Sequence, residues 1–112
     1  MSRKKRSQTP EWQWEQALID AYYDHRWRQV LEPLYEKFQR WKGGEFTHAD
    51  MDRAIHEAHK EGQEVYRFFT EKRSWLVSLI QLDREWFEPW VTDHPPPPGV
   101  ELVPPSAWGY EE

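Results

Sequence analysis

The run from Thr47 to Glu88 limits the fold more than any other part of the chain. Apolar or small residues recur at Met51, Ile55, Ala58, Gly62, Val65 and Phe69, and again at Leu76, Leu79 and Trp86. The steps alternate between four and three, the rhythm of helices that pack on other helices. The spacing predicts one long amphipathic helix, or two helices almost end to end. Lys72 and Asp83 occupy the same stripe and interrupt it.

A second helix is legible upstream. Thr9 has the chemistry of an N-cap and Pro10 that of a first helical residue. Glu11 and Glu15 lie near that end, where the helix dipole favours acids. Apolar positions such as Leu18, Tyr22, Trp27, Leu31, Leu34 and Phe38 carry the pattern to about Lys42. They form a stripe broad enough to face more than one neighbour. Pro33 removes a backbone donor and disfavours helix at Glu32, which predicts a kink or break there.

Gly43-Gly44 closes this helix, because glycine accepts the left-handed conformation just past a last turn. Thr47 then caps the next helix, with Asp50 three residues on as a variant capping box. Phe46 and Met51 have the spacing of a hydrophobic staple. So short a loop folds two helices back as an antiparallel pair. Counting from Gly44 puts Phe38 opposite Met51, Leu34 opposite Ile55 and Trp27 opposite Gly62. Tyr23 falls opposite Tyr66. The fold class expected is therefore all-α, a long antiparallel helical hairpin followed by a Pro-rich extended C-terminal tail. A third helix, Trp75 to Glu88 capped by Ser74, is added if the chain breaks between Thr70 and Ser74. Glu71-Lys72-Arg73 are good helix formers and favour continuity.

Three segments follow: a disordered basic arm over 1–9, a helical domain over 10–88 and the tail over 89–112. Pro89 is expected to stop the last helix. The tail holds seven of the nine prolines, four acids and no Lys or Arg. Pro95 to Pro98 predicts polyproline II, and Trp90, Leu102, Val103, Trp108 and Tyr110 favour laying the tail on an apolar surface.

At 112 residues the chain is one domain by length. With eight Trp, five Tyr and five Phe, aromatic rings must fill much of its core. Net charge is −5, but Arg3, Lys4, Lys5 and Arg6 put +4 in the first ten residues and leave −9 elsewhere. An acidic body opposes broad nucleic-acid binding, leaving only the arm as a contact for RNA or DNA. The chain has no cysteine, which excludes disulfides and thiolate chemistry. No apolar window is long enough to span a membrane, and the basic start precedes no apolar signal core, so a cytoplasmic protein is expected.

Asp52, His56, His59 and Gln63 are spaced four, three and four, and so share one helix face. Asp52, His56 and His59 are the candidate ligands for zinc or iron, with His25 or Glu64 from another subunit completing the set. The run His56-Glu57-Ala58-His59 is one residue short of the zincin motif, and no Glu-x-x-His occurs. No Ser-His-Asp set or phosphate-binding glycine loop exists, so no catalytic residue is assigned. By the hairpin count Leu79, Ile80, Leu82, Trp86 and Phe87 lie beyond the reach of the first helix. They are the expected interface of a homodimer, or ground for the tail to cover. The function expected is that of a non-catalytic, self-associating interaction or scaffold protein. A helical metal-binding protein and a nucleic-acid contact through the arm are the alternatives.

Overall fold

A computed structural model describes residues 9–104. The described chain is all helical: α1 (Pro10–Lys42), α2 (His48–Phe68), α3 (Arg73–Gln81) and α4 (Arg84–Asp93). It divides into two units, one of Met1–Tyr22 with Lys72–Glu112 and the other of Tyr23–Glu71. The basic arm and the last tail residues, Trp108 and Tyr110 among them, lie outside the described residues.

Pro33, expected to kink or break its helix, and Pro89, expected to stop one, both lie inside helices. α1 runs unbroken through Pro33, and α4 continues through Pro89 to Asp93. Each proline leaves one carbonyl without its amide, that of Gln29 and that of Glu85 respectively. All four residues are exposed, so water can satisfy those carbonyls and the cost stays tolerable.

Tyr23–Glu71 contains the second part of α1, its loop and α2. Gly44 adopts φ 86°. Its N–H bonds the Trp41 carbonyl at 3.1 Å, and the Glu45 N–H reaches the Arg40 carbonyl at 2.9 Å. These are the two bonds of a Schellman closure. Thr47 caps α2 reciprocally: its hydroxyl accepts from the Asp50 N–H and its own N–H donates to the Asp50 carboxylate, both at 3.0 Å. Hydrogen bonding to Thr47, from its backbone first and its side chain second, holds the Asp50 carboxyl below its usual range.

Beyond the loop the rings meet in opposing order. The Trp27 ring lies on Gly62, where an added Cβ would stand 3.1 Å from its far edge. Tyr23 packs edge-on against Phe69 at 5.0 Å, three positions past the expected Tyr66. Val30, Met51, Ala54 and Val65 are buried in this unit.

The other unit is built from the first part of α1 with α3, α4 and the tail. Trp14, Leu18, Tyr22, Leu76, Ile80 and Phe87 are buried here. The run expected as one helix, or as two parted between Thr70 and Ser74, breaks twice. The first break, at Phe69 to Lys72, has neither Gly nor Pro. Arg73 accounts for it from the far side: its guanidinium donates to the Trp12 carbonyl at 2.9 Å and to Gln16 at 2.8 Å, and stacks 4.1 Å over the Trp12 ring. Anchorage of one cation outweighs a local helix propensity worth tenths of a kcal/mol per residue. Ser74 is not a cap but lies inside α3. The second break is at Leu82 and Asp83, where Asp83 caps α4 by accepting from the Trp86 N–H at 3.4 Å and also receives the Tyr22 hydroxyl at 2.9 Å. The polar flaw in the stripe is thus the corner between two short helices.

The tail is tied down as far as it is described. The Trp14 indole donates to the His94 carbonyl at 2.8 Å. The Gln81 side chain, only 2% exposed, accepts the Val103 N–H at 2.8 Å and donates to Val77.

Candidate interaction groove

The five residues expected at an oligomer interface lie in the first of these units. Ile80 and Phe87 are 0% exposed, and Leu79, Leu82 and Trp86 are half-buried. Folding back at the two breaks lets the chain cover them itself; Tyr22, for example, packs on Trp86 at 4.9 Å. Within the single chain they form no open patch.

The metal candidates are on α2 and fully accessible. Asp52 and His56 pair at 3.4 Å, each more than two-thirds exposed. His59 instead contacts the Gln63 amide at 3.3 Å. Among the described residues no group of three or more His, Asp or Glu side chains gathers as a metal would require. The helix places the three on one face but stretches them along it.

The unused apolar surface is in Tyr23–Glu71. A groove of about 390 Å³ runs along one side of this unit. α1 contributes Trp27, Leu31 and Leu34 to its walls, and α2 contributes Ile55, Gly62 and Tyr66. His59 and Gln63 are the polar residues on its lip. Leu31 is 50% exposed, Ile55 43% and Tyr66 69%. A second hollow of the same unit mixes Val30, Pro33, Leu34 and Ala54 with Gln29, Lys37, Glu57 and Glu61, and it shares Val30, Leu34 and Ala58 with the groove. The groove is the more apolar of the two.

No family model, curated protein or solved structure matches this chain. The groove has to be read from its own chemistry.

Among the described residues its lining holds one imidazole, His59, one phenol, Tyr66, and no carboxylate. Among the described residues the buried Trp27 indole N–H has no hydrogen-bond partner, an expense in keeping with a ring placed for its area. Around the rim, Arg28 joins Asp24 at 2.9 Å and Glu32 at 3.4 Å along α1. The bond to Asp24 contributes most to raising the Arg28 pKa. Sequence reasoning passed over Leu31 and Tyr66 as sites because each also fits a hairpin seam. The signal was the breadth of the α1 stripe, which exceeds what one facing helix can cover.

Proposed function

We propose that the protein is a non-catalytic helical interaction protein. In this reading α2 returns antiparallel along the second part of α1, and the apolar face of that hairpin packs against helices of a partner. The opposing order of Tyr23 on Phe69 and Trp27 on Gly62 supports the hairpin. The observation that carries the function is the exposure of Leu31, Ile55 and Tyr66 together along one groove, whose lining is more apolar than that of the hollow beside it. Helix-in-groove recognition uses such anchors.

A surface kept for a partner is dispensable for folding of the chain itself. Leu31→Glu and Ile55→Glu should therefore leave the unfolding temperature near that of the wild type, measured by tryptophan fluorescence at the lowest practical concentration. They should also abolish binding of an apolar dye. Val65→Glu, in the buried seam, is the control that must unfold. If the groove variants unfold as readily as the control, the groove belongs to the core and this reading fails.

A further inference from the structure

The groove can be matched to an occupant by its symmetry. We propose that it receives the same groove of a second copy of this chain, with α2 antiparallel to α2 of the partner about a twofold axis near Lys60. This rests on reading the groove as an interaction surface.

An isologous contact demands a surface that complements itself when reversed. The outward row of α2 meets that demand. Asp52 and Arg67 stand about equally far from Lys60, as do His56 and Gln63, and Ile55 and Tyr66. The centres of these pairs agree within one residue, or about 1.5 Å along a helix. Reversal therefore sets Asp52 against the partner's Arg67, twice per dimer, and Ile55 against the partner's Tyr66. Arg67 makes no ion pair among the described residues, so it has charge to offer.

The same axis works on α1. The contact of Trp27 with Gly62 places Gln29 level with Lys60. Reversal about Gln29 sets Leu31 against the partner's Trp27, apolar on apolar. It also sets Asp24 against the partner's Tyr35, a carboxylate within reach of a phenol hydroxyl. One axis thus yields compatible pairs on both helices.

Charge and area permit the contact. Tyr23–Glu71 holds eight Lys and Arg against ten Asp and Glu, a net charge of −2, so two copies repel each other weakly. A two-helix face the length of α2 measures about 30 Å by about 20 Å, and two such faces bury on the order of 1,200 Å², the lower end of stable interfaces. A twofold contact uses this face once on each copy, so assembly closes at two.

Sedimentation equilibrium of the full chain tests this with Asp52→Arg, Arg67→Asp and the double reversal. Both positions are exposed, and circular dichroism checks that each variant folds. The wild type should be a dimer at tens of micromolar. Each single reversal should weaken it by roughly tenfold in dissociation constant, and the double reversal should restore it. A wild type that stays monomeric overturns the proposal, as does a double reversal no tighter than the singles. If it fails while the Leu31 and Ile55 variants still fold and lose dye binding, the groove stands and its partner is another protein.

Discussion

Gly62 holds its place because the Trp27 ring occupies the volume a side chain would need. Glycine inside a helix costs about 1 kcal/mol against alanine, and the ring contact offsets that cost. Gly62→Leu should lower stability by about 1–3 kcal/mol, read as a fall in denaturant midpoint with unchanged slope. An unaltered midpoint would mean the ring does not rest there. Asp50 makes a second residue-scale prediction. Its folded pKa lies below the usual 3.8, so its cap is at full strength above that value. The stabilisation falls away as pH drops through the lower, folded pKa. Asp50→Asn should flatten that part of the acid-unfolding curve, and an unchanged curve would remove Asp50 from the account.

Helices α1 and α4 show what an exposed proline costs and why it survives. Pro33→Ala returns an amide to the Gln29 carbonyl, and it should raise stability by about 1–3 kcal/mol in thermal unfolding. A fall in stability would show that the ring is needed for packing. Thr47→Ala removes one arm of the reciprocal cap and should cost about 1 kcal/mol. The caps at Thr9 and Thr47, the glycine closure and the Trp27–Gly62 contact were legible in the sequence, because each rests on neighbours in sequence or on a simple count from Gly44. Of the two breaks after α2, the first was open only as an alternative and the second, at Leu82 and Asp83, was not foreseen. Nothing in Glu71-Lys72-Arg73 ends a helix; the cause is Arg73 bonding Trp12 and Gln16, contacts separated by 61 and 57 residues. The prolines misled for the converse reason, since their cost depends on exposure that no local pattern reports. The apolar groove was half visible, as an α1 stripe too broad for one neighbour.

At the scale of the whole molecule the chain is two units sharing one continuous helix. Gln81 is the polar centre of one of them, holding the tail by the Val103 amide. Gln81→Leu should release the tail, seen as faster hydrogen exchange at Val103 and quicker proteolysis after Asp93. Equal exchange in both proteins would show that the tail is held by its apolar contacts alone. The aromatic rings of that unit carry a further consequence. Trp86 stacks on Trp90 at 5.8 Å and 17°, Trp90 on the His94 imidazole at 4.4 Å and 10°, and Trp14 bonds the His94 carbonyl. Two indoles this close and nearly coplanar share their excitation, and an imidazole against the second drains its emission when protonated. The protein therefore carries its own optical gauge. A change in near-ultraviolet ellipticity reports the junction of α4 with the tail, without any attached label.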